Sequence, residues 1–490
     1  MKKISLMLAC TLLVLLTACQ PTPEKSVIIS KNNGEFDANV IQPAEENHLP
    51  KESKSLQFSD TFQSTDGSVT FHISVDNSIQ TSNMPVVEVV PHFLTGEDVH
   101  NIATALFGQE AVFFEAEPSS DEHFSKQEIR DQISRWSPYT SAEKIGELFP
   151  NNNPNAWASY AETMQECIAY LSTEFLNSAV EDYERPLCQW QFHNSSYYND
   201  RTTDLNSSTS FQENEEISAW IPMDNGMYSL FEAARRNKAD YKLNNVYVTS
   251  AAGGPLGIDS KIFCAENLRT TTPTQEQIDM VVEKAQKTMN TMGLGSWEIG
   301  SARIEEYSMG DCTEYRICVD AFPVLGGVMA LDLPQLNNLK SKELYASNYY
   351  LTEANFSFSA NGELVDFTLY SPIDIKQVLN ENVKTLTMEE LFTRAKEHMM
   401  LSDLYSYGGD LGISEEGDYC NVCVSNVQYG LARTKVPNTE DSYYYVPAVV
   451  FSGNIDLFSQ NSGEPFYSIE NTSLLLLNAV DGSIISINNE

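Results

Sequence analysis

Positive charge is what this sequence has least of. Its 490 residues carry 30 Lys and Arg against 68 Asp and Glu, a formal charge of −38 with a pI near 4.4. Nucleic-acid binding needs a clustered basic surface, so this balance excludes nucleic acid as a partner; it equally disfavours docking of the folded body on an anionic bilayer. Histidine is also scarce. His48, His72, His92, His100, His123, His193 and His398 include no pair at the i, i+4 spacing of helical metal ligands, and no metal site is expected. The P-loop, H-E-x-x-H and G-x-S-x-G patterns are absent, which removes the easily recognised enzymes; no cofactor and no catalytic residue is assigned. Past the N-terminus no stretch approaches 18 uninterrupted apolar residues, so no transmembrane helix is expected.

What is there begins with an address. Lys2 and Lys3 precede an apolar run from Ile4 to Leu16, the length of a signal-peptide core and too short to span a bilayer comfortably. The run ends in Leu16-Thr17-Ala18-Cys19, which resembles the lipobox of bacterial lipoproteins. Residues 1–19 are therefore expected to be a signal peptide, with Cys19 the lipid-attachment residue and the protein anchored on the extracytoplasmic face of the cell membrane. Residues 20–60, with Pro21, Pro23, Pro43 and Pro50 among Lys, Glu, Asn and Ser, read as a flexible tether.

Seven cysteines remain for the body: Cys167, Cys188, Cys264, Cys312, Cys318, Cys420 and Cys423. An odd count permits at most three bridges, and a chain this long needs none. Cys420-x-x-Cys423 invites a redox or zinc reading. Its neighbours Tyr419, Val422, Val424, Val427 and Tyr429 are strand formers, however, and residues three apart on a strand face opposite ways. A local Cys312–Cys318 bridge stays open.

Helices announce themselves through caps. Thr95 with Asp98, Ser125 with Glu128, Thr274 with Gln277 and Thr387 with Glu390 each precede an apolar face at helical spacing. A longer helix is expected over 155–176. Strands are expected at Val69–Val75, Val86–Val90, Tyr419–Ala432 and Tyr443–Phe451, with type I′ hairpins at Asn361-Gly362 and Asp481-Gly482. The capped helices ending near Gly108 and Gly293 echo one another. The resulting expectation is an α+β fold of two modules, each with helices packed on a mostly antiparallel sheet: 61–255 with the long helix and 256–490 with a helix on its sheet, the seam lying near Gly253-Gly254-Pro255.

Motifs that would carry chemistry are weak. Ser141-Ala-Glu-Lys144 matches S-x-x-K without its partner motifs and reads as a surface helix turn. Glu215-Glu216 is an adjacency expected among 68 acids. The acidic turn 410–418 lacks the ligand ladder of an EF-hand, so calcium is left open. Tyr443 and Tyr445 would share a strand face and cover the core.

Several segments carry a resemblance: Asn83-Met-Pro-Val-Val-Glu-Val-Val-Pro-His-Phe-Leu-Thr-Gly-Glu-Asp-Val-His, Leu364-Val-Asp-Phe with Asn380-Glu-Asn-Val-Lys-Thr-Leu, and Tyr445-Val-Pro-Ala with Leu477-Asn-Ala-Val-Asp-Gly-Ser. Together they look like a functionally uncharacterised lipoprotein family of Gram-positive gut bacteria. The last pattern is also similar to PepSY-like modules and to regulatory proteins of sensor kinases, although many relatives have an aromatic where this chain has Val449 and Val450. The resemblance implies no established activity, and only Cys19 carries over as a site. The expected function is a non-enzymatic, lipid-anchored surface protein that binds a protein or envelope ligand. Alternatives are a hydrolase of envelope or dietary polysaccharide using paired carboxylates, and the solute-binding lipoprotein of a transporter.

Overall fold

The computed structural model describes residues 42–44, 52–65, 67–81, 83–116, 124–148, 154–194, 214–222, 228–237, 242–253, 272–309, 312–331, 333, 352–401, 418–436, 439, 442–459 and 463–485. Among them no helix is long and apolar enough to cross a membrane.

Period-two apolar spacing sets the first strands. In β1 (Glu52–Gln63) Leu56, Phe58 and Phe62 face the core, and in β2 (Val69–Thr81) Phe71, Ile73 and Val75 do the same. The two pair antiparallel without a bulge, from Glu52 opposite Thr81 to Gln63 opposite Thr70. The expected tether over 20–60 is thus corrected: residues 52–60 are strand, and Pro43 bridges Val383. Ser, Gln and Asp between the apolar positions resemble linker in composition, but they are what a strand with one wet face requires.

The chain continues with β3 (Val86–Pro91), α1 (Gly96–Phe107), β4 (Phe114–Glu115), α2 (Lys126–Trp136), α3 (Ala142–Leu148), α4 (Pro154–Tyr170), β5 (His193–Asn194), β6 (Asn214–Pro222), β7 (Tyr228–Asn237) and β8 (Lys242–Gly253). Then come α5 (Gln275–Thr291), β9 (Trp297–Met309), β10 (Cys312–Leu325), β11 (Val328–Met329), β12 (Glu353–Ser359) and β13 (Leu364–Tyr370). Last are β14 (Ile373–Asn380), α6 (Met388–Leu401), β15 (Tyr419–Lys435), β16 (Tyr443–Phe458) and β17 (Tyr467–Asn478). The four cap pairs form reciprocal capping boxes at the starts of α1, α2, α5 and α6, each worth about 1 kcal/mol. The long helix α4 runs on through a π turn, Leu171–Phe175, where Ser172 and Thr173 hydroxyls donate to carbonyls four residues back.

The fold is α+β, built on two sheets. The first has the order β1-β2-β15-β16-β3-β14, with β17 also on β16; the second has the order β11-β10-β12-β13-β8-β7-β6-β4, with β9 on β10 and β5 on β6. Among the described strands only β2 with β15 is a parallel pair. The sheets do not follow the expected division into 61–255 and 256–490. Strands β1 to β3 belong with β14 to β17, and β8 pairs with β13 across the supposed seam. The second sheet is therefore an insertion between β3 and β14 of the first. The passages out and back run side by side, with the His92 N–H donating to the Pro372 carbonyl at 2.8 Å.

Packing explains the echo between capped helices. α1 and α5 share one core on one face of the second sheet, with Val99, Ile102, Val281, Ala285 and Met289 all buried there. They are neighbours in a single layer, not landmarks of two halves. Helices α2 to α4 cover the opposite face near β6 and β7. On the first sheet α6 lays Leu391, Phe392, Ala395 and Met399 against β2, β15, β16 and β17.

The expected type I′ turns take another form. At Asn361-Gly362 only Gly362 has positive φ, at +80°; its N–H donates to the Ser359 carbonyl, Ser359 N–H donates to Glu363, and the register slips at Phe358. This is a type I turn with a glycine bulge, which suits strand twist equally well. At Asp481-Gly482 likewise only the glycine is left-handed, with the Gly482 N–H donating to the Asn478 carbonyl.

Candidate functional site

A fork in the first sheet creates the site. The parallel ladder between β2 and β15 matches Val69–Ile73 with Cys420–Val424 and then stops, although β2 continues to Thr81 and β15 to Lys435. The cause is local. Between Val424 and Asn426 the register of β15 on β16 shifts, a bulge at Ser425 that adds twist and bends the strand. Gly453 faces this bulge, where a Cβ would lie 1.8 Å from the Cys423 carbonyl oxygen, so only glycine lets β16 pass.

The hairpin of β10 and β11 closes the fork from the second sheet. Its two-residue turn Gly326-Gly327 has φ values of +60° and +82°, the type I′ geometry, between the Leu325–Val328 pair. Just beyond, the Leu331 N–H donates to the Leu431 carbonyl at 2.8 Å. The crossing passes over Gly430, whose Cβ, if present, would sit 3.0 Å from the Met329 carbonyl oxygen. The half-open cleft measures about 680 Å³, within the range of small-ligand pockets.

Ile79, Met84, Val328, Met329 and Leu331 give the cleft an apolar part; Asn77, Asn426 and Gln428 add amides. Glu298 is the carboxylate of the lining, which contains no Lys or Arg. Asn77 spans the fork: its Nδ2 donates to Asn426 Oδ1 at 2.7 Å and to the Val427 carbonyl at 2.8 Å. Its buried Oδ1 has no hydrogen-bond partner among the described residues, which marks an unused acceptor. Burial pushes the Tyr429 phenol up to about 12 against a hydrogen bond with Thr385. The lining thus sets amides, the Ser78 hydroxyl, a phenol and the Glu298 carboxylate around an apolar floor.

The residues singled out from sequence lie elsewhere. Cys19 and residues 410–417 of the acidic turn are outside the described residues, as is Cys264. Cys167, Cys188, Cys318, Cys420 and Cys423 are free thiols, so Cys318 makes no bridge to Cys312. Cys420 faces the core of the first sheet, where burial, and then Asp456, push its thiol up to about 12. Cys318 is likewise raised to about 12 by burial and Glu305. Thiols so shifted stay protonated and unreactive. Among the described residues no group of three or more His, Cys, Asp or Glu could hold a metal. Lys144 pairs with Glu147 at 2.5 Å on the surface turn that carries Ser141. Tyr443 and Tyr445 are buried, and the Arg433 guanidinium lies 3.4 Å over the Tyr443 ring.

Two polar clusters lie on the second sheet. Glu215 pairs with Arg235 at 2.6 Å, whereas Glu216 turns to the other face and meets Glu232 on β7, whose carboxyl is raised by burial and by that neighbour. Arg185 is buried among Phe124, Trp220 and Tyr228, donating to the Tyr228 hydroxyl at 3.0 Å and to Glu128 at 3.3 Å. Burial raises the Glu128 carboxyl, but bonds from its cap residue Ser125 and the charge of Arg185 outweigh this and hold it below the usual range. The network ties the start of α2 to β7.

No family model and no curated protein matches the chain. Two solved structures resemble it distantly. An uncharacterised protein from Eubacterium rectale ATCC 33656 aligns at 10% identity and a TM-score of 0.36, over 92% of this chain and 98% of that one. The Bacillus megaterium YpeB C-terminal domain aligns at 11% identity and a TM-score of 0.23, over 58% of this chain and 88% of that one.

Proposed function

We propose that this is a non-enzymatic, lipid-anchored binding protein of the extracytoplasmic face, holding a protein or envelope ligand in the cleft between β2 and β15. The cleft carries the reading: it is built by a bulge, an obligatory glycine and a docked hairpin, and its lining offers hydrogen-bonding amides on an apolar floor. The lipobox-like sequence ending at Cys19 supplies the anchor, and the acidity of the body keeps it soluble and clear of an anionic surface.

The test has two arms. Wild-type chain is expected in the membrane fraction after a high-salt wash, and Cys19→Ala in the soluble fraction; equal partition contradicts the anchor. Thermal unfolding is then followed with soluble peptidoglycan fragments, neutral glycans and peptide pools. A class that raises the midpoint for wild type but not for Ser78→Trp, which fills the cleft from an exposed position, supports the reading. No cleft-dependent shift with any class, or turnover of a glycan, contradicts it.

One observation favours a second reading, the solute-binding lipoprotein. Two adjacent chain passages, near His92 and Pro372, join the sheets as hinge strands would. Cleft-dependent stabilisation by amino acids or monosaccharides alone would select it.

A further inference from the structure

We propose that the fork between β2 and β15 is a strand-insertion slot for an extended polypeptide segment of a partner protein, with an apolar side chain for the cleft and neutral or basic flanks. The proposal rests on the reading of the cleft as a binding site and names the class of its ligand.

The backbone edges come first. From Ser74 on β2 and from Ser425 to Gly430 on β15 the ladder between the two strands is gone, while β1 and β16 occupy only their far sides. Each strand therefore turns a row of N–H and C=O groups towards the fork. Such groups are satisfied by water or by another strand, and a segment lying about 4.8 Å from a strand completes the ladder. Asn77 already imitates this: its side-chain amide donates to the Val427 carbonyl as the N–H of an inserted strand would, and its Oδ1 stays a buried acceptor in the same cleft.

Side chains add selectivity. Met84 and Met329, beside Ile79 and Leu331, form a floor that adapts to apolar side chains of different shape. Charge narrows the partner further. The whole chain carries −38, and Glu298 is the carboxylate of the lining, so acidic segments are repelled and basic flanks are drawn in.

The experiment selects binders to the full chain from a phage-displayed library of random dodecapeptides, then resynthesises them with one N-methyl group at each position in turn. A peptide held as a strand loses about tenfold or more in affinity at alternate positions, the equivalent of one or two backbone hydrogen bonds, and little in between. Ser78→Trp is expected to abolish binding and Glu298→Lys to weaken peptides with basic flanks, both variants unfolding at the wild-type midpoint. A flat methylation profile, full binding to Ser78→Trp, or no selected peptide at all overturns the strand slot. If neutral glycans still stabilise the protein through the cleft, only the ligand class is wrong; if nothing does, the binding reading falls with it.

Discussion

His398 links pH to stability through one side chain. It is buried on α6, and its Nε2–H donates to the Gly482 carbonyl at 2.9 Å, tying the helix to the turn after β17. Burial lowers its pKa, outweighing the Gly482 carbonyl and Glu397, which raise it. The unfolded chain, with the ordinary value of about 6.5, then takes up the proton first. Its contribution is whole above that value and is lost as pH falls through it towards the depressed folded pKa. The unfolding midpoint is expected to drop between about pH 7 and pH 5, and His398→Gln to flatten that part of the profile. Identical profiles for the two proteins would remove His398 as the cause. Residue-level features were legible where they are local. The capping boxes and the buried Tyr443 and Tyr445 follow from spacing alone, whereas Asn77 looks like any strand asparagine until Asn426 and Val427 are brought to it from far along the chain.

Among elements, the bulge on β15 decides whether there is a fork. It depends on Gly453, which has an ordinary φ and no turn signature, so nothing in the local sequence announces it. Gly453→Ala must displace either the bulge or β16 and is expected to cost about 3 kcal/mol in urea unfolding. Gly463→Ala, with nothing within 4 Å of its Cβ, serves as the control and should lie within about 0.5 kcal/mol of wild type. Equal effects at the two glycines would mean that the bulge relaxes freely. Strand positions were largely visible as alternating apolar residues, but their connections were not. Asn-Gly and Asp-Gly point to type I′ turns and form bulged or wider ones, while Gly326-Gly327, an equally good local signal, makes the type I′ turn beside the cleft.

At the scale of the molecule, the second sheet is inserted into the first and reaches back to it through the hairpin of β10 and β11. That arrangement is long-range by construction. A Gly-Gly-Pro breaker after β8 looks like a seam, yet β8 and β13 pair across it because partner choice is set by faces and register rather than by order. The mixed core of Met84, Val87, Val89, Phe322, Leu325 and Leu431 then fixes the hairpin over the fork. The central claim is that this junction binds a ligand at the open edges of β2 and β15. Hydrogen exchange of the full chain, with and without a selected peptide, tests it most directly. Binding at the fork slows exchange at fork-facing amides of residues 74–81 and 425–430 and leaves β14 unchanged; protection confined to other strands, or none while the peptide is bound, would rule the fork out.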